Sequence, residues 1–189
     1  AAQREVISVE KINTPENYYE FSNRFPYELT DDQENAINEI ISDLEVGKLM
    51  DRLICGDVGF GKTEVAIRTS FIIASAGYQV VLVAPTTILV KQHYKSFLDR
   101  FKNTSIKVST LSRMTNVSDR KSIKNQLVSG DINIVIGTHA LLSNDIDFNN
   151  LGLLIIDEEQ HFGVAQKEKI KELQGNIHVL TLTATPIPR

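Results

Sequence analysis

The chain has 189 residues, 42% of them apolar and 23% charged, a composition that fits one globular domain and excludes extensive disorder. Its net charge of −4 excludes a broadly basic surface, so any grip on nucleic acid has to be local, through a few Lys, Arg and backbone N–H groups. The single cysteine, Cys55, rules out an internal disulfide or a Cys-based zinc site, no apolar run reaches bilayer length, and the opening AAQREVISVEK lacks a signal-peptide pattern; a cytoplasmic compartment is the expectation.

In chain order, residues 1–24 are polar, carry Thr14-Pro15 as a breaker, and read as a linker or partial helix. Thr30 opens a helix as its N-cap, with Gln33 three residues on in a capping-box arrangement. Ala36, Ile37, Ile40, Ile41 and Leu44 give that helix an apolar face, and Gly47 ends it. Apolar, β-branched runs then occur at 52–55, 79–84, 106–111, 132–136, 151–156 and 178–182. Helical periodicity fills 62–76, 87–101 and 117–129. LGLLIID, apolar without alternation, predicts a strand buried on both faces, and strand–helix alternation predicts right-handed crossovers. The expected fold is α/β, a doubly wound, mainly parallel sheet flanked by helices, with ligands beyond the carboxyl ends of its strands. Cys55 reads as a buried strand residue rather than a reactive thiol.

GDVGFGKT (Gly56, Asp57, Val58, Gly59, Phe60, Gly61, Lys62, Thr63) fits the phosphate-loop pattern at every fixed position, between an apolar strand and a helix-compatible run. The glycines let successive N–H groups turn inward around an anion, and the helix start adds its positive end. Lys62 would reach the β- and γ-phosphates of ATP, and the Thr63 hydroxyl would join the Mg²⁺ shell. The bland alternative is a glycine-rich strand–helix turn carrying a surface lysine. Asp157 and Glu158 follow a buried apolar strand, where two carboxylates are out of place without a positive partner. Asp157 would hold the metal and Glu158 would polarise the attacking water. The alternative is an acidic start to a helix; Glu159 and Gln160 read equally well as solvated residues of that turn.

The order of GDVGFGKT, APTTILVKQH, VIGTHALL, IIDEEQHFGV and TLTATPIPR resembles the motifs of the superfamily-2 helicases over roughly residues 25–189. More narrowly, Phe60 in the loop, the Asp157-Glu158-Glu159-Gln160 box, FPYELTDDQ and MDRLICGD look like the first RecA-like motor lobe of the transcription-repair coupling factors (Mfd). The RecG junction translocases are the near alternative. His161 departs from the family pattern. The resemblance implies a RecA-like ATP-binding domain over 25–189, with ATP and Mg²⁺ as cofactors. It implies adenine contacts at Phe25 and Gln33, although Gln33 serves equally as a cap. Pro85, Thr86 and Thr87, with Gly137, Thr138 and His139, would touch one DNA strand, although Thr86 also reads as an N-cap. Thr183, Ala184 and Thr185 would couple nucleotide state to DNA grip. It further implies double-stranded DNA as partner, RNA polymerase and excision-repair proteins as partners of regions outside this chain, and a second lobe carrying an arginine finger. A lobe by itself is then expected to hydrolyse ATP poorly.

Two other classes compete. A non-hydrolysing, nucleotide-regulated binding module would not need Glu158, and a small-molecule kinase would not predict TATPIPR or the GTH segment. Lys91, Lys95, Arg100 and Lys102, then Arg113, Arg120, Lys121 and Lys124, read mostly as solvated helix faces. His93, His139 and His161 lie near motifs but lack metal-ligand spacing.

Overall fold

The computed structural model describes residues 8–56 and 60–184, without the Phe60 side chain. Asp57, Val58, Gly59 and Thr185 therefore lie outside the described residues. Six strands form: β1 (Asp51–Cys55), β2 (Gln79–Val83), β3 (Val108–Leu111), β4 (Ile134–Gly137), β5 (Leu151–Asp157) and β6 (His178–Thr183). The helices are α1 (Tyr18–Asn23), α2 (Asp31–Val46), α3 (Phe60–Ser75), α4 (Thr87–Phe101), α5 (Val117–Ser129) and α6 (Val164–Gln174). The strands form one sheet in the order β1-β6-β5-β2-β4-β3, and every pairing is parallel. The expected doubly wound sheet is borne out.

Alternate residues of the central strands feed two cores. Val80, Leu82, Ile134, Ile136, Leu153 and Ile155 face α2, α3 and α4, where Ile40, Ile67 and Phe97 meet them. Val81, Val83, Val135, Leu154 and Ile156 face α5 and α6 through Leu127 and Ile170. Period-two alternation of side chains between two apolar layers is why these strands read as continuous apolar runs. Helix α2 forms as its sequence dictates: Thr30 Oγ1 accepts from Gln33 N at 3.2 Å, Gln33 Oε1 accepts from Thr30 N at 2.9 Å, and Gly47 closes the helix in the left-handed region.

Residues 9–24 are packed onto this body. Val9 N donates to Gly47 O at 2.7 Å and Ile12 N to Leu44 O at 2.8 Å. Ile12, Tyr18 and Phe21 are buried, and the Phe21 ring stacks on Phe71 at 4.1 Å. The reading of Cys55 needs correction: it is exposed, because β1 is the edge strand and only one of its five residues, Ile54, is buried. No helix among the described residues is long and apolar enough to cross a membrane.

Candidate nucleotide site

Parallel pairing brings the carboxyl ends of all six strands to one edge of the sheet. The motifs gather there because each occupies the residues that follow a strand. Gly56 follows β1, Asp157 ends β5 and Thr183 ends β6; Pro85 lies just past β2, and Gly137 ends β4. The strand order divides them into a β1-β6-β5 half, with Gly56, the start of α3 and the acidic pair, and a β2-β4 half, with the segments expected to touch DNA.

Lys62 and Thr63 stand in the first turn of α3. Lys62 is buried, with its Nζ 3.7 Å from Glu158 Oε1. An ammonium at a helix start, with one loosely placed carboxylate as its ion-pair partner among the described residues, leaves charge available to an anionic ligand. Glu158 adopts φ 52° and ψ 55°, a left-handed backbone that non-glycine residues seldom take. Its carboxylate is held there from two sides. Gln160 Nε2 donates to Oε2 at 2.5 Å and Ala184 N to Oε1 at 3.1 Å, while Glu158 N donates to Leu182 O at 3.0 Å. Glu159 and Gln160 belong to a short 3-10 turn rather than an α-helix, and Gln160 serves Glu158 instead of merely facing solvent.

Asp157 is only 3% exposed. His93 Nε2–H donates to its Oδ2 at 2.6 Å, and Oδ1 is buried with no hydrogen-bond partner among the described residues. A desolvated, unpaired carboxylate oxygen is costly unless a cation or donor completes it. That orphaned oxygen, with the Thr63 hydroxyl and the Lys62 ammonium at the same sheet edge, fits a magnesium–phosphate ligand.

The flank of this site is built from residues the sequence had marked and others it had not. Gln33 lies against Gly61: a Cβ added there would stand 1.9 Å from Gln33 Nε2, so a larger residue would have to push that amide aside. Phe25 is half-buried under two guanidiniums, Arg68 and Arg100, each with Cζ 5.8 Å from its ring centroid. Both arginines close on Glu64, the residue after Thr63, which is 1% exposed. Arg100 Nε and Nη2 reach Oε1 and Oε2 at 2.7 and 2.8 Å, and Arg68 Nε reaches Oε2 at 2.7 Å. Arg100 Nη2 also donates to Phe21 O at 2.9 Å. Arg100 is thus not part of a solvated face: α4 buries it along the stripe Val90, His93, Phe97, Arg100 and Phe101.

In the other half, Thr86 caps α4, its hydroxyl accepting from Leu89 N at 3.2 Å; Pro85 and Thr87 are half-buried beside it. Gly137 sits against β3, where an added Cβ would come 2.1 Å from Leu111 O. Thr138 is buried, with its hydroxyl unpartnered among the described residues, and His139 is exposed. Thr183 and Ala184 adjoin the nucleotide half, Thr183 O accepting from Gly56 N at 3.1 Å.

A family model described as DEAD/DEAH box helicase matches residues 30–189. The chain belongs to the DEAD/DEAH box helicase family. It is 56% identical to the transcription-repair-coupling factor of Haemophilus influenzae over 174 residues, covering 92% of this chain and 15% of that protein. With the same-named protein of Bacillus subtilis it shares 54% identity over 170 residues, 90% of this chain and 14% of the relative. The Escherichia coli protein of that name is 49% identical over 174 residues, again 92% and 15%. The chain therefore spans about one seventh of the length of these helicase relatives. Among solved structures it is similar to RecG bound to a three-way DNA junction, with TM-score 0.81 and 38% identity over 96% of this chain and 24% of that one. It shares its fold with the Pyrococcus furiosus Hef helicase domain at TM-score 0.65 and 23% identity, over 83% and 33% of the two chains. The resemblance to coupling factors and to the junction translocase, read from the motifs, is borne out.

Proposed function

We propose that this helicase-family chain is the ATP-binding motor lobe of a protein that couples ATP hydrolysis to movement on double-stranded DNA. The observation that carries the reading is the pair of carboxylates at the end of β5. Asp157 presents one buried oxygen, unpartnered among the described residues, and Glu158 is fixed by Gln160 and Ala184 with its Oε1 3.7 Å from Lys62 Nζ.

The residues divide the work by chemistry. Gly61 and the start of α3 cradle the phosphates through N–H groups, Gly56 anchors the turn to β6, and Lys62 neutralises the phosphate charge. Thr63 and Asp157 would hold Mg²⁺, which when bound would supply positive charge to the phosphates. Phosphate oxygens draw the Lys62 ammonium away from Glu158, leaving that carboxylate to orient a water and take its proton. Phe25 offers its ring, and Gln33 its amide, to the base. Ala184 N–H, bonded to Glu158, links the end of β6 to the water-activating group and so gives Thr183-Ala184 a route by which hydrolysis alters grip on DNA. Pro85, Thr86 and Thr87, and Gly137, Thr138 and His139, line the DNA side of the same sheet edge.

At the finer level, the similarity to transcription-repair-coupling factors supports a parent protein that displaces stalled RNA polymerase and brings in excision repair through regions outside this chain. The test is displacement of RNA polymerase stalled on duplex DNA by the full-length parent with ATP. Release that is abolished by Lys62→Ala is expected. No release, with ATP turnover stimulated by branched junctions instead, would move the assignment to a junction translocase, the reading that the similarity to RecG favours.

A further inference from the structure

The pair formed by His93 and Asp157 is absorbed by none of the motif roles. His93 lies on the buried stripe of α4, two turns beyond the Thr86 cap, and is 7% exposed. An imidazole placed among Val90, Phe97 and the central strands loses its hydration and needs a polar partner. That partner, 64 residues away in sequence, is the carboxylate at the end of β5. It is reached because β2, which leads into α4, pairs directly with β5, Val83 lying opposite Ile156.

The division of the carboxylate is informative. A purely structural His–Asp pair in a core would be expected to find donors for both oxygens, since each unpaired one is penalised. Here Oδ2 is occupied at 2.6 Å while Oδ1 is buried and unpartnered among the described residues. The imidazole therefore fixes the rotation of the carboxylate and decides which oxygen stays open. Groups that anchor a ligating carboxylate from behind tune metal affinity without touching the metal.

We propose that His93 is a positioning residue for the magnesium–nucleotide site, holding Asp157 so that Oδ1 alone is presented to the cation. The proposal rests on the nucleotide reading above and adds a structural tie between that carboxylate and α4, whose first turn is the expected DNA contact. Among the described residues around it, His93 alone has this reach: Lys62 approaches Glu158 rather than Asp157, and the remaining basic residues of α4 are exposed or, for Arg100, committed to Glu64.

The experiment is a titration of the 189-residue chain with N-methylanthraniloyl-ADP, with and without Mg²⁺, for the wild type, His93→Leu and His93→Gln, with thermal melting of each. Leu removes the donor; Gln keeps an N–H near the Nε2 position. In His93→Leu, the Mg²⁺ concentration for half-maximal tightening of ADP binding should rise about tenfold or more. Magnesium-free affinity should stay at the wild-type value, and His93→Gln should restore most of the magnesium response. If His93→Leu does not fold, His93→Asn, too short to reach Oδ2, carries the same prediction. An unchanged magnesium midpoint in the folded donor-less variant would overturn the proposal. So would equal loss of magnesium-dependent and magnesium-free binding in both variants, the signature of a merely structural histidine. Failure of the underlying reading looks different: wild-type chain would bind no nucleotide at all, or bind it identically with Lys62→Ala.

Discussion

Glu158 holds a left-handed backbone at φ 52°, and its carboxylate is clamped by an amide side chain and a backbone N–H rather than by a full ion pair. Backbone strain of this kind persists only where the surroundings over-determine it, and it concentrates at working sites. In the proposed function, Glu158 has a task separable from ligand binding, for which Lys62 and Asp157 would supply the contacts. Glu158→Gln preserves shape and removes the proton acceptor. In the full-length parent, this variant should keep ATP affinity within about twofold and lose roughly 100- to 10,000-fold in turnover, the range typical of a general base. Nucleotide binding and steady-state hydrolysis measured side by side check it; a non-hydrolysing nucleotide switch would show no turnover to lose in the wild type. In the proposed function, Asp157 and Glu158, adjacent in sequence, differ in role because the Asp157 carboxylate is buried against His93 and that of Glu158 lies near Lys62.

Three helices meet around Glu64, and their mutual placement is an electrostatic matter as much as an apolar one. The carboxylate comes from α3, Arg68 lies one turn on, Arg100 comes from α4, and Arg100 Nη2 reaches back to the carbonyl of Phe21 in α1. Removing the central carboxylate leaves a desolvated guanidinium without its counter-charge. Glu64→Ala should lower the unfolding free energy by about 3–5 kcal/mol in urea denaturation, whereas a change below about 0.5 kcal/mol would show that the cluster contributes nothing net. The same region shows what a sequence reveals and what it hides. The capping box at Thr30–Gln33, the helix that follows the glycine-rich segment and the apolar runs are local signals, and each formed near its predicted place. His93 and Arg100 carried a visible sign as well, since both fall on the apolar stripe of α4. Their partners lie 64 and 36 residues away, and periodicity carries no information about which distant residue a buried polar group will meet. The packing of Ile12, Tyr18 and Phe21 escaped for a related reason: a few apolar residues scattered through a polar stretch show no period. Cys55 was misread because strand periodicity says nothing about whether a strand ends up at the sheet edge.

At the scale of the whole molecule, one parallel sheet separates function from stability along its strands. The carboxyl ends hold the candidate site; the opposite ends hold residues that stabilise the fold, among them His178 at the start of β6. His178 Nδ1 accepts from Met50 N at 3.0 Å, and burial pushes the imidazole pKa down, against a smaller opposing pull from Asp43. The folded state therefore keeps His178 neutral while the unfolded chain protonates it near pH 6.5. Its contribution is complete above that value and is lost as pH falls from there toward the lowered folded pKa. The melting temperature should decline between pH 7 and pH 5.5, and His178→Asn, which retains an acceptor without a titrating ring, should flatten that decline; an equal slope in both proteins would contradict the assignment. The central claim is that the edge formed by Lys62, Asp157 and Glu158 is a magnesium–nucleotide site. The most direct test is equilibrium titration of the chain with fluorescent ADP in Mg²⁺, set against Lys62→Ala. Saturable binding that weakens tenfold or more in the variant, about 1.4 kcal/mol, is the predicted result; no binding by the wild type, or binding indifferent to Lys62, would contradict it.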